Sequence, residues 1–178
     1  IIQKSGLFGR SNSKFYDRFR SRIIFPISNS SGKIIAFGGR VFGSDDPAKY
    51  MNSPETPLYR KSEVFYGLNI TRKYIREENN AIIVEGYTDL IQLFQSGIKN
   101  VIAVSGTAFT NRHVNQIRRL TSKVYLCYDG DTAGVNASLK AGYSLLKGGV
   151  EPLIILLPNG VDPDEWIKKI GPEEFISH

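Results

Sequence analysis

The second half of the chain alternates short, wholly apolar blocks with longer amphipathic stretches. Residues 81–84, 101–104, 124–128 and 153–157 are continuous apolar runs. Strands buried on both faces of a parallel sheet have this pattern. Between them, residues 87–95 set Leu90, Ile91 and Phe94 on one side of a helix that Gly97 stops. Thr110 or Asn111 caps a second helix, with Val114, Ile117 and Leu120 inward and Arg112, Arg118 and Arg119 outward. A third helix begins just past Asp131, runs to about Leu146 and ends at Gly148-Gly149, and a short last helix follows residues 158–165. The alternation predicts an α/β fold: a doubly wound, mostly parallel sheet with right-handed crossovers. If strand one lies beside strand three, the order is 2-1-3-4, and ligands bind beyond the carboxyl ends of such strands.

The first 80 residues read differently, as a smaller α+β subdomain. Residues 23–28 and 33–42 are rich in β-formers and flank the turn Asn29-Ser-Ser-Gly32, which predicts a hairpin. Gly38-Gly39-Arg40 ends or bulges its second strand and lets the backbone approach a neighbour closely. Residues 14–22 alternate Arg18, Arg20 and Arg22 with aromatic neighbours; in an extended segment the three arginines share one face. Residues 45–56 form a turn-rich loop, where functional residues concentrate. A helix is predicted over 68–78, and its polar end marks a boundary near Asn80. The expected domains are therefore 1–80 and 81–178. There is no internal repeat and no low-complexity segment.

Composition narrows the class. With 178 residues, 41% apolar and 22% charged, the chain can bury one domain core or two small ones. No apolar run is long enough to span a bilayer. The start lacks a leader's charged and apolar regions and lacks Met, so an excised fragment is expected. The single Cys127 excludes an internal disulfide and a cysteine zinc site; it reads as a small core residue of a cytoplasmic protein. The net charge of +6 is uneven: residues 1–80 hold 14 Lys+Arg against 7 Asp+Glu, and residues 81–178 hold 9 against 10. A basic half joined to a half with aimed carboxylates suits a polyanion held beside a metal site.

Acids end three of the four strands: Glu85, the pair Asp129 and Asp131, and the pair Asp162 and Asp164. Each alone could be a turn residue or, like Asp131, a helix cap. Together they form an all-oxygen donor set, which suits Mg²⁺ or Mn²⁺ rather than zinc. Lys49, Asn52, Ser53 and Lys61 in and after the turn-rich loop are candidate phosphate donors.

Here the residues carry a resemblance. V-E-G-Y-T-D (84–89), Y-D-G-D-T-A-G (128–134) and D-P-D (162–164) resemble the Toprim signature, the metal-binding domain of topoisomerases and primases. Y-D-R-F-R (16–20), I-I-F-P-I (23–27), F-G-G-R (37–40) and K-Y-M-N-S-P-E-T (49–56) resemble the basic subdomain of bacterial DnaG-type replicative primases. The resemblance implies template-directed synthesis of RNA primers from ribonucleoside triphosphates on single-stranded DNA, by two-metal nucleotidyl transfer. It implies two or more Mg²⁺ or Mn²⁺ ions on Asp129, Asp131, Asp162 and Asp164, with Glu85 as a general base or metal-organising acid and Asp89 in support. It assigns Arg18, Arg20, Arg22 and Arg40 to nucleic-acid backbone, and Lys49, Asn52, Ser53 and Lys61 to template or incoming triphosphate. A replicative helicase would be the partner of the complete protein. The family's zinc ribbon, helicase-binding domain and helical end of the catalytic core have no counterpart in these residues, so an isolated piece could lack activity. A Toprim nuclease, or an inactive fragment that only binds single strands, stays open on the sequence alone.

Overall fold

The computed structural model describes residues 5–43 and 46–177. The chain divides into two compact units, Ile1–Lys61 and Ser62–His178.

The first unit is antiparallel throughout. β1 (Phe8–Ser11) and β2 (Lys14–Asp17) form a hairpin in which Gly9 faces Tyr16. A Cβ at Gly9 would collide with the Tyr16 ring, so this glycine lets the phenol lie across the strand. β3 (Arg22–Ser28), β4 (Ile34–Val41) and β5 (Tyr50–Asn52) form a three-stranded sheet in that order. The β3–β4 turn follows the expected chemistry: Asn29 Oδ1 accepts the Ser31 and Lys33 N–H groups, and Gly32 has φ +83°. Phe25, Ile27, Ala36 and Tyr59 are buried in this unit.

Three expectations change here, the first being that Gly38-Gly39-Arg40 neither ends nor bulges β4, which runs through it to Val41 in register with β3, the one shift lying at Ile27/Ser28. Residues 14–22 are not one extended segment. β2 ends at Asp17, the chain turns, Ser21 takes φ +51°, and Arg22 opens β3. The alternation of arginines therefore does not put them on one face. The turn-rich loop also contains a strand, since Tyr50–Asn52 pairs with β4 through Arg40↔Tyr50, Gly39↔Met51 and Gly38↔Asn52. Three residues ahead of a proline are too few to show a period of two. Asp45, the first residue of that loop, lies outside the described residues.

The second unit is the parallel sheet. Its strands are β6 (Ala81–Val84), β7 (Val101–Ala103), β8 (Lys123–Leu126) and β9 (Glu151–Ile154), in the order β7-β6-β8-β9. All three pairings are parallel, so the expected 2-1-3-4 order is the one observed. α2 (Tyr87–Gln95), α3 (Asn111–Ile117) and α4 (Thr132–Lys147) are the crossovers, and α5 (Pro163–Ser177) closes the unit. One face of the sheet packs Ile83, Ile102 and Leu126 with Ile117 and Leu145; the other packs Val84, Val101 and Cys127 with Leu93, Ile167 and Phe175. α1 (Leu68–Glu78) belongs to this unit, with Leu68 and Ile75 in the first cluster. The compact division thus falls before α1 rather than after it. In α2 Leu93 is buried, while Ile91 and Phe94 are only partly so.

β9 begins two residues before the apolar run and ends at Ile154. As an edge strand it tolerates Glu151 and Pro152, which a central strand would not. α5 is longer than expected, but its backbone breaks at Gly171, with φ +79° and ψ +166°, just before Pro172. No helix among the described residues is long and apolar enough to cross a membrane.

Candidate metal centre and basic face

Glu85 and the Asp129/Asp131 pair sit where strands end, whereas β9 stops at Ile154 and the expected strand-end pair Asp162 and Asp164 lies instead at the start of α5, after an irregular segment. Glu85 follows β6 and is half-buried, and Asp129 follows β8. The Asp129 backbone N–H donates to Glu85 Oε1 at 3.4 Å. Asp131 is the N-cap of α4, its Oδ1 accepting the Gly134 N–H at 2.7 Å. Capping uses one oxygen and leaves the other, so the cap and the ligand readings of Asp131 do not compete. Asp89 works the same way: buried on the first turn of α2, it accepts the Gly86 N–H through Oδ2 at 2.8 Å. Asp162 Oδ1 accepts the Glu165 N–H at 2.7 Å at the start of α5. Asp164 lies one turn from Lys168, whose Nζ is 2.5 Å from its Oδ1.

Glycines fix the loop that carries the pair. A Cβ at Gly130 would collide with the Pro158 carbonyl, and one at Gly134 with the Asp129 carbonyl. Gly130 N–H donates to Val161 O at 2.9 Å, tying the Asp129–Asp131 loop to the segment that leads to Asp162.

The charges acting on Glu85 and Asp89 are negative. Burial raises the Glu85 carboxyl, Asp129 and Asp131 raise it further, and the Asp129 N–H opposes them. Burial pushes Asp89 up to about 7, against the Gly86 N–H, with added pushes from Asp129, Asp162 and Asp164. Like charges held this close are accommodated by protonation or by a cation. Among the described residues no three such side chains form a closed cage; the donor chemistry nevertheless fits a hard divalent ion. Burial pushes the Cys127 thiol up, which suits a core residue and not a ligand.

In the first unit, arginines lie on exposed aromatics. Arg20 stands 5.4 Å from the Tyr16 ring, Arg40 5.6 Å from Tyr50, and Arg10 5.9 Å from Phe15. Arg10 stands outside the arginine alternation of residues 14–22; what marks it is its β1–β2 pairing opposite Phe15. Lys49 is exposed, and the Lys61 N–H donates to Glu55 Oε1 at 2.9 Å. Two other candidates are occupied. Ser53 is buried, its Oγ accepting the Phe37 N–H at 3.0 Å while its own N–H donates to Phe37 O at 2.8 Å. The Arg22 side chain is only 1% exposed and pairs with Asp46 at 2.5 Å. A serine that locks a loop and an arginine whose buried side chain pairs with an exposed aspartate look like phosphate contacts in sequence; only the fold separates them.

Comparison with known proteins agrees over both units. Residues 1–72 match the DNA primase catalytic core, N-terminal domain, and residues 82–167 match a Toprim-like domain. A DNA primase of Staphylococcus aureus (strain COL) is 44% identical over 99% of this chain, which spans 30% of that relative's length. Among solved structures, a DNA primase domain from Pseudomonas aeruginosa superposes with TM-score 0.92 at 42% identity, over 99% of this chain and 56% of its own. The Aquifex aeolicus primase, zinc-binding and RNA polymerase domains, gives 0.91 at 42% identity, over 98% and 44%. A DnaG primase catalytic domain bound to single-stranded DNA gives 0.90 at 40%, over 99% and 56%. The chain therefore belongs to the bacterial DnaG-type primase family and carries the N-terminal domain of its catalytic core followed by a Toprim-like domain.

Proposed function

We propose that this chain forms the nucleotidyl-transfer centre of a DNA primase, which lays down short RNA primers on single-stranded DNA in the cytoplasm. The observation that carries the reading is the group of acids at the ends of β6 and β8 and at the start of α5 of a Toprim-like sheet, in a chain that also carries a primase core domain. Asp129, Asp131 and Asp162 are the residues we assign to hold Mg²⁺ or Mn²⁺, with Asp164 and Asp89 supporting them. When bound, the ions neutralise charge on the attacking and leaving oxygens of the phosphoryl transfer. Glu85, with its raised affinity for a proton, is the group we assign to accept the proton of the primer 3′-hydroxyl. Arg10, Arg18, Arg20 and Arg40 hold the backbone of a single strand, and the exposed rings of Phe15 and Tyr16 are stacking platforms for its bases. Lys49, Lys61 and Asn52 meet the incoming ribonucleoside triphosphate. A replicative helicase is the expected partner of the complete protein.

Calorimetry tests the substrate class. With Mn²⁺ present, the chain is expected to bind a ribonucleoside triphosphate, and Lys49→Ala with Lys61→Ala to weaken that binding more than binding of a monophosphate, because more phosphate charge goes unpartnered. Indifference to triphosphates together with Mn²⁺-dependent cleavage of single strands would replace the primase by a nuclease.

A further inference from the structure

Arg22 opens β3 opposite Val41 of β4, yet its side chain does not reach solvent. One guanidinium nitrogen donates to the Ala48 carbonyl at 2.7 Å and the other to Asp46 Oδ2 at 2.5 Å. Asp46 Oδ1 in turn accepts the Ala48 N–H at 2.9 Å. The Arg22–Asp46–Ala48 ring of hydrogen bonds closes immediately before Lys49, whose carbonyl accepts the Val41 N–H at 3.0 Å. The segment 46–49 is thus held from both sides, by a buried fork and by β4. Gly39 makes the fork possible: a Cβ there would press on Phe19 and on the Arg22 stem at 3.1 Å.

We propose that Arg22 and Asp46 are positioning residues, a clamp that holds the Lys49 backbone in place so that its ammonium group meets the phosphates of the incoming triphosphate. The proposal rests on the triphosphate assignment made above for Lys49. A lysine on a free loop would lose its side-chain and backbone freedom on each binding event; a clamped backbone has already lost part of it. The partners differ in exposure, with Arg22 at 1% and Asp46 at 41%, so Asp46 can be changed without opening the sheet. Arg22→Lys keeps the charge but not the two-pronged geometry that reaches a carboxylate and a carbonyl together.

The test is a double-mutant cycle on the complete primase, reading KM for ribonucleoside triphosphate and kcat separately, with thermal melts of each variant. Asp46→Ala is expected to raise KM by about tenfold, the lower end of what a hydrogen bond to a charged group is worth because Asp46 is 41% exposed, with kcat changing less. Lys49→Ala is expected to raise KM, and adding Asp46→Ala to it to raise KM no further, because Asp46 acts through Lys49. Arg22→Lys is expected to follow Asp46→Ala, and Asp46→Glu to restore part of the loss. Unchanged KM in Asp46→Ala, or effects of Asp46→Ala and Lys49→Ala that multiply, would overturn the clamp while leaving the triphosphate assignment standing. Unchanged KM in Lys49→Ala would overturn the assignment, and the clamp with it.

Discussion

The Asp129 backbone N–H donates to Glu85 Oε1 at 3.4 Å, so an acid expected to do chemistry also ties the end of β6 to the end of β8. The adjacent parallel strands hold their carboxyl ends level, through Ile83↔Leu126 and the Cys127 N–H to Ile83 O at 2.9 Å. That register brings V-E-G and Y-D-G-D to one edge of the sheet.

Divalent cation should stabilise the fold through Asp131 without needing its cap. Asn caps a helix as well as Asp does, so Asp131→Asn keeps the Gly134 hydrogen bond and removes a charge. Its melting temperature without metal is expected to equal or exceed the parent's, since one like-charge repulsion is gone. Its gain on adding Mn²⁺ is expected to be smaller. An equal Mn²⁺ gain in the two proteins would remove Asp131 from the site.

The loop between the acids should not tolerate a methyl group. Gly130→Ala and Gly134→Ala each drive a Cβ into a backbone carbonyl, of Pro158 and Asp129 respectively, and carbonyls cannot rotate away as a side chain can. Each is expected to cost about 1–3 kcal/mol by overpacking, measured by urea unfolding. Gly149→Ala lacks a nearby atom to strike and tests φ alone, at +76°; its cost is expected to be smaller. Parent-like stability in Gly130→Ala would mean that the loop adapts.

These positions show what is legible in the sequence. All four parallel strands, the crossover helices and α1 follow from apolar runs and caps, because buried strands and amphipathic helices leave strong periodic signals; the 2-1-3-4 order follows only on the condition that strand one lies beside strand three. The acids are legible because strand ends are. The β1–β2 hairpin and β5 are not: short pairings are decided by tertiary partners, such as Gly9 with Tyr16 and Arg40 with Tyr50. Arg22 and Ser53 mislead for the same reason, since whether a polar side chain faces water or closes a loop depends on neighbours that the linear pattern does not name.

A pH dependence follows from His113, buried on α3. Its Nδ1 accepts the Thr110 N–H at 3.2 Å, which leaves the proton on Nε2. Burial pulls it from 6.5 down to about 4, against a smaller upward pull from the Val64 backbone. Between those values the unfolded chain takes up a proton that the folded chain refuses, so stability rises with pH there. The contribution is complete above pH 6.5 and is lost as pH falls toward 4, at about 1.4 kcal/mol per unit. Melting temperatures from pH 7 down to 4.5 are expected to fall more steeply in the parent than in His113→Gln. Parallel curves would place the acid sensitivity elsewhere.

Single-strand affinity should depend on salt through Arg20 and Arg40. Removing one cation that neutralises a phosphate lowers the slope of log K against log salt by about 0.7 on a single strand. Fluorescence anisotropy across salt is expected to show that reduction for Arg20→Ala and Arg40→Ala. Unchanged slopes in both would move the track off this face.

Everything assigned above depends on the acids beyond β6 and β8 and at the start of α5 serving primer synthesis. Asp129→Asn in the complete primase tests it most directly, measured as labelled primer formed on a single-stranded template with Mg²⁺ or Mn²⁺. Loss of primer synthesis is expected, with template affinity and melting temperature retained. Primers made at the parent's rate by Asp129→Asn would contradict it.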